Sequence, residues 1–549
     1  MKLFLSVALF LLYSALPTLA QRKAASTTVI QEPASQFAQT ITTAELRRHL
    51  TELASDAYQG RGTGQPGQKK AAAYLTHQFE LLGLQGVGPS ATTSYLQPFS
   101  LIKTAPAGPG WIEVGSQRFE GSKHFLRAGS STFPEGPTLT DPVFRGFGIE
   151  TSSYDDYAGL PDVRGKDVIV LYGEPHNGLG RYLFSGSKKQ SEWSSGFRKA
   201  YVAREKGARS ITFVTDAPLA LFQQQLEPML SELTAPSYGL ATPLLQPTDE
   251  TLMQNYEPAY ISMFITDAPL GNSLLNTTLA VVQSYETECY KMGKPVKANF
   301  QPVSFRVQFP EQRQELIAEN VLGFLEGSDK KEEVVVVSAH YDHIGIQHDT
   351  IYHGADEDAS GTSAILAMAK AFQEAKAAGK GPRRSILFLL TAAEEQGMLG
   401  SSFFVTHPAF ALTQVVGNLN IAMLGRTDKK HTGKAPYVYL IGSDRLSSEL
   451  HALSEATNSQ TTRLKLDYTY NASTSADQLF YRSDQYNFAR YGIPVIAYTS
   501  GIHNDYHKST DDVEKIEFDK LTERTRLVFY TAWEIANRNQ RLVVDSNRK

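Results

Sequence analysis

Cysteine is almost missing from this chain. Cys289 is the only one, so no intramolecular disulfide can form. Stability must come from core packing or from bound metal. Nothing flanking Cys289 would activate a thiol, and it reads as a small buried residue. Strong charge of either sign is missing too. The 53 Lys and Arg nearly balance the 57 Asp and Glu, and the formal net charge of −4 gives no electrostatic case for nucleic acid as a partner. Beyond the first residues there is no apolar run long enough to span a bilayer, so no membrane span is expected. Repeats and low-complexity tracts are also absent, which excludes a repeat array.

What remains is an ordinary globular composition, with 41% hydrophobic and 20% charged residues. A length of 549 residues is too great for one simple core, and two or three domains are expected. The N-terminus reads MKLFLSVALFLLYSALPTLAQ. Lys2 precedes an apolar run from Leu3 to Leu16, and Thr18 and Ala20 are small residues ahead of Gln21. This pattern predicts a signal peptide over residues 1–20, cut near Ala20, and an exported protein that is periplasmic or secreted.

Three further regions follow. Residues 21–123 carry two helical patterns. In the first, Thr42 and Glu45 fit a capping box and Leu46, Leu50 and Leu53 share a face. In the second, Ala71, Leu75, Phe79 and Leu82 recur at helical spacing, after a loop reading YQGRGTGQPG. Residues 124–295 alternate short β-like runs such as DVIVL and SITFV with turns, which predicts a separate β-rich unit. Residues 296–549 read as α/β. EEVVVV, SILFLL, NLNIAML and IPVIAY are continuous apolar runs, expected of strands buried on both faces. Helices expected over 361–378 and along the Leu521, Val528, Ile535 stripe alternate with them. Together these predict a mostly parallel, mixed sheet with helices on both faces.

Polar residues of one kind gather just after those runs. His340 and Asp342 follow the first, Asp356 stands before a helix, Glu394 and Glu395 follow the second, and His507 follows the last. In open α/β sheets ligands collect outside the carboxyl ends of the strands. Histidines and carboxylates delivered to one rim are what a zinc site requires. Adjacent glutamates have a use there: one can bind metal while its neighbour accepts a proton from water. His343, His348, His353 and His503 read as loop residues or as supports behind the ligands rather than as ligands, and YRSDQYNFARYGIP (481–494) as a packing loop or a substrate wall.

SAHYDHIG, GADEDASGT, TAAEEQGMLGS, RSDQYNFARYGIPV and DYHKSTDD, taken together, resemble metallopeptidase family 28, the zinc aminopeptidase and glutamate-carboxypeptidase-like enzymes. The stretch DDYAGLPDVRGKDVIVLYGEP resembles a protease-associated domain inserted into that fold. The resemblance implies a peptide substrate and one or two zinc ions. It implies a bridging carboxylate at Asp356. One metal would be held by Asp356, Glu395 and His507, the other by His340, Asp356 and a third carboxylate. It makes Glu394 the general base, has Asp342 orient His340, and offers Tyr506 as an oxyanion donor.

The family pattern carries Asp where this chain has Ala422, in NLNIAMLGR. Asn420 shares that strand face but offers only a neutral amide oxygen, and Asp428 would need its loop to fold back. The three-ligand site is therefore expected to keep zinc and the second to be weak or empty. Two other readings stay open: a mono-zinc enzyme resembling glutaminyl cyclases, and a metal-impaired binding or receptor-like relative.

Overall fold

The computed structural model describes residues 32–545 apart from 90–93, 129–132, 134–135, 224–235, 243–260, 434 and 472–477. The expected signal peptide lies outside the described residues. The main body is built on a ten-stranded sheet. Its principal strands are β1 (Leu96–Pro106), β2 (Glu311–Leu325), β3 (Lys330–His340), β4 (Arg384–Thr391), β5 (Val415–Ile421), β6 (Tyr437–Ile441) and β7 (Val495–Thr499). They lie in the order β1–β2–β4–β3–β5–β7–β6, with short strands Ser237–Leu240 and Lys465–Asp467 at the two edges. The four apolar runs of the sequence are the four central strands, β4, β3, β5 and β7, and these are parallel. Outside them the sheet turns antiparallel at β1–β2, β2–β4 and β6–β7, while the short Lys465–Asp467 edge runs parallel to β6. The sheet is thus mixed with a parallel centre, rather than mostly parallel.

Helices cover both faces, and the two-residue period of the strands decides which side each residue serves. Val335 and Val337 of β3, with Ile386, Phe388 and Leu390 of β4, join the core under helices α1 (Thr43–Leu53), α2 (Pro66–Leu81), α3 (Gly361–Ala377) and α5 (Phe518–Asn537). Val334 and Val336, with Leu387 and Leu389, join the opposite core with Phe404 and Val405 of α4 (Leu399–Thr406). Thr42 caps α1 by accepting the Glu45 N–H, and Leu46, Leu50 and Leu53 are buried as the helical period requires. Ile365, Ala369 and Phe372 of α3 and Leu521, Val528 and Ile535 of α5 are likewise buried.

Between β1 and β2 the chain builds a second body. A five-stranded sheet has the order Phe125–Ala128, Ser262–Thr266, Ser210–Val214, Asp167–Leu171, Val143–Phe144. All its pairings are parallel except at the Phe125–Ala128 edge. Helices Gly196–Glu205, Ala268–Leu275 and Leu279–Met292 accompany it, so the unit is α/β rather than simply β-rich. A four-stranded antiparallel sheet adds Trp111–Val114 and Phe305–Gln308, which lie outside residues 124–295. Cys289 is fully buried in this body, among Phe147, Tyr154 and Tyr285. Among the described residues, no helix is long and apolar enough to cross a membrane.

Candidate active site

The ladders of the central strands bring their carboxyl ends level. His340 pairs with Thr391, Ala339 with Ile421, and Ile421 with Tyr498. Whatever follows these residues emerges on one rim. The loops after β3, β4, β5 and β7 do so, and a tight turn over Ala355–Ser360, leading into α3, joins them.

His340 ends β3 and is fully buried. Its Nδ1 lies 3.1 Å from the Asp342 main-chain carbonyl, and its Nε2 lies 2.8 Å from Glu357 Oε1. A carbonyl only accepts, so Nδ1 carries a hydrogen. The Asp342 carboxylate is 3.8 Å from that nitrogen, beyond hydrogen-bond reach. It accepts the Thr63 hydroxyl at 2.8 Å and the Glu394 N–H at 3.1 Å instead. Asp342 therefore orients His340 through its backbone, while its carboxylate fixes the loop of the two glutamates. Burial raises the Asp342 carboxyl to about 6 against the pull of His340. For His340 burial works downward, but Glu394, Glu357 and Asp358 outweigh it and hold the ring well above the usual range.

Glu394 and Glu395 follow Ala393, whose φ of 58° is left-handed. Met423, after Ala422, and His507 share this costly conformation, at φ 57° and 55°. Non-glycine residues held there concentrate at functional sites. Glu395 Oε2 is 3.0 Å from His507 Nε2, and Glu395 Oε1 is 2.8 Å from His343 Nδ1. Burial would raise this carboxyl, but the two imidazoles overcome it and hold it well below the usual range. Glu394 moves the other way. Burial, with Asp484, Glu395 and Glu357 near, pushes it well above that range, opposed by His340. The Tyr506 ring stacks on His507 with centroids 3.9 Å apart. Burial and the fields of Glu357, Glu395 and Glu394 push its phenol up, so the hydroxyl keeps its proton.

Asp356 does not join this group. Its Oδ1 accepts the Gly425 N–H at 2.6 Å, and its Oδ2 faces His503 Nε2 at 3.3 Å. A side chain on Gly425 would place its Cβ 2.9 Å from Asp356 Oδ1, so glycine is needed for this approach. Its neighbour Glu357 meets His340 in its stead. Neighbouring residues of a tight turn point apart, and spacing alone could not choose among the three consecutive carboxylates of GADEDASGT. Asp358 is also turned away, accepting the N–H groups of Met423 at 3.0 Å and Gly361 at 2.9 Å.

Ala422 is half-buried at the end of β5, its N–H donated to Tyr498 O at 3.1 Å. Neither neighbour replaces the missing carboxylate. The Asn420 side chain is engaged by Ser338, Ser483 and Gln485. Asp428 is engaged by His431, Tyr437 and Tyr439. Asp484, within the 481–494 stretch, is fully buried and accepts the hydroxyls of Thr391 and Ser401.

Arg61, in the YQGRGTG loop, is the other residue the sequence did not single out. It is fully buried and donates to the carbonyls of Tyr341, Leu53, His353 and Gly354 at 2.7–2.9 Å. Burial lowers it to about 10, against the raising fields of Asp358, Asp342, Asp511 and Glu395. It ties the loop after β3 to the turn that carries Glu357. A lone arginine in a glycine-rich loop has no pattern to mark it.

Among the described residues, no three His, Cys, Asp or Glu side chains are gathered as around a common metal. The expected trio of Asp356, Glu395 and His507 does not converge, because Asp356 faces His503. The donors face one another instead, His340 with Glu357, and His343 and His507 with Glu395. The donor chemistry nonetheless suits zinc: imidazole nitrogens and carboxylate oxygens, with Glu357 Oε2 and His343 Nε2 buried and lacking hydrogen-bond partners. Glu357, Glu395 and His507 are the side chains that would hold it.

Residues 320–532 match the model of Peptidase family M28. Those residues carry His340, Glu357, Glu394, Glu395, Ala422 and His507. A protein of Pyrenophora teres f. teres (strain 0-1) described as a probable zinc metalloprotease is 24% identical over 280 residues, covering 45% of this chain and 56% of that protein. Aminopeptidase YwaD of Bacillus subtilis (strain 168) is 25% identical over 230 residues, 41% of this chain and 46% of that protein. The chain spans about half the length of the curated relatives it matches. An aminopeptidase structure from Aneurinibacillus sp. strain AM-1 superposes with a TM-score of 0.51 at 17% identity, over 93% of this chain and 98% of that one, and shares the fold. The similarity to Peptidase family M28 thus lies in residues 320–532, the part of the chain that carries the strand-end histidines and carboxylates.

Proposed function

We propose that this chain is an exported zinc-dependent aminopeptidase that hydrolyses the peptide bond behind a free N-terminal residue. The observation that carries the reading is the division of labour between adjacent glutamates. Glu395 is held by His343 and His507, while burial leaves the Glu394 carboxyl raised well above the usual range, opposed by His340, and free of those imidazoles. Glu357, Glu395 and His507 would hold the zinc. Zinc, when bound, lowers the pKa of a water to roughly 7 and polarises a carbonyl. Glu394 takes the proton of the attacking water and returns it to the leaving amine. The Tyr506 hydroxyl donates to the developing oxyanion. The surplus of buried carboxylates suits a substrate α-ammonium. The body between β1 and β2 is a protease-associated domain in this reading.

Aminoacyl-nitroanilide hydrolysis tests it. Glu394→Gln is expected to lower kcat by about 10²–10⁴ with zinc content unchanged. Activity untouched by that change removes Glu394 as base. The missing carboxylate at Ala422 also favours a mono-zinc cyclase-like reading. Cyclisation of N-terminal glutamine without nitroanilide hydrolysis would establish that reading instead.

A further inference from the structure

Three consecutive main-chain N–H groups of the turn that presents Glu357 end on one residue. Ala355 N–H donates to the Asp511 carbonyl at 3.0 Å. Asp356 and Glu357 N–H both donate to Asp511 Oδ2, at 2.9 and 3.1 Å. Asp511 is fully buried and closes a turn on Lys508 O, just past His507. Its other oxygen has no hydrogen-bond partner, with Arg426 Nη1 3.7 Å away. The two ligands that Asp511 joins lie far apart in sequence, and no strand or helix ladder links their loops. Gly354, at φ 56°, lets the turn close upon itself, since a Cβ there would fall 2.2 Å from Glu357 O.

We propose that Asp511 is a positioning residue that sets the Glu357 carboxylate against the His507 loop. The inference rests on the reading of Glu357 as a zinc ligand. Asp511 touches neither substrate nor metal in this role. It fixes the backbone from which Glu357 projects, and two N–H donors converging on one oxygen leave that backbone little freedom. Partners that orient ligands are commonly worth 10–100-fold in metal affinity.

The test is zinc affinity of the whole mature chain by chelator competition, with thermal unfolding recorded beside it. Asp511→Asn keeps an acceptor oxygen in place and is expected to stay within about threefold of the unaltered protein. Asp511→Ala is expected to bind zinc about 10–100-fold more weakly, with faster amide exchange confined to residues 353–361. A purely structural role predicts a lowered Tm without that loss. If the alanine variant does not unfold cooperatively, Asp511→Glu replaces it. That variant keeps the charge but moves the oxygen by one methylene, and the same weakening is expected. Affinity within twofold of the unaltered protein in a folded Ala or Glu variant overturns the proposal alone. An unaltered protein that binds no zinc overturns this proposal and the zinc reading together.

Discussion

At the residue scale the outcome turns on which of three adjacent carboxylates faces the glutamates and histidines. Asp356 and Asp358 spend their oxygens on the N–H groups of Gly425, Met423 and Gly361, and only Glu357 reaches His340. Glu357→Gln is therefore expected to weaken zinc by more than the roughly 10–100-fold that an outer partner is worth. Asp356→Asn should leave zinc content unchanged. Elemental analysis after dialysis separates the two, and the reverse order would restore Asp356 as ligand. Ala422 gives a second prediction at this scale. Its side chain is a methyl group where the family pattern has a carboxylate, and Asn420 and Asp428 are committed elsewhere. The unaltered protein should hold one zinc equivalent. Ala422→Asp should hold two and hydrolyse faster. Two equivalents in the unaltered protein would show that some other donor completes the second site.

At the scale of elements, the sequence was most legible where burial leaves continuous apolar runs. β3, β4, β5 and β7 and helices α1, α3 and α5 fall where hydrophobic pattern and capping place them. β2 escaped because its outer half is largely polar and solvent-facing, and β1 because a proline breaks its pattern and its outer half is mostly only half-buried. β2 opens EQRQE, and Pro98 interrupts β1 opposite Glu319. Pairing fills these strands, not local pattern. The loops are the least legible, since their links cross the chain. His353 shows this: its ring lies between Asp512 Oδ1 at 2.7 Å and Asp56 Oδ1 at 2.8 Å, from loops far apart in sequence. Carboxylates only accept, so both bonds form fully only with the ring protonated. Burial opposes that charge, but the two aspartates outweigh it and raise His353 above its ordinary value. A raised folded-state value means stability present in full below about pH 6.5, the unfolded value, and lost as pH climbs through the folded one. His353→Asn should therefore cost stability at pH 6 and progressively less toward pH 9, measured as urea midpoints. A difference that stays constant across that range would remove the ion pairs from the account.

At the scale of the whole molecule, the second body occupies the tip of a hairpin. β1 and β2 pair antiparallel along their length, and Pro106 faces Glu311 directly. Everything from 107 to 310 stands where a tight turn could stand. Loop-closure entropy grows only slowly with length, so such an insertion costs the host sheet little. The second body also has its own cores, of which Phe147, Leu171, Trp193 and Phe264 belong to one. The two bodies meet in one further ladder: Ser237–Leu240 extends the main sheet by pairing with Leu101–Thr104 of β1. Replacing residues 107–310 with Asn-Gly, a pair suited to a two-residue hairpin turn, should thus leave a main body that unfolds cooperatively and binds zinc with unchanged stoichiometry. It should also uncover the N–H and C=O groups of β1 along 101–104. An uncovered edge is a template for pairing with another copy, so the shortened chain is expected to self-associate in light scattering, and a lysine introduced at the half-buried Ile102 to reduce it. Calorimetry decides the matter: without a single cooperative transition in the shortened chain, the inserted body is part of the main body's core and not a guest upon its hairpin.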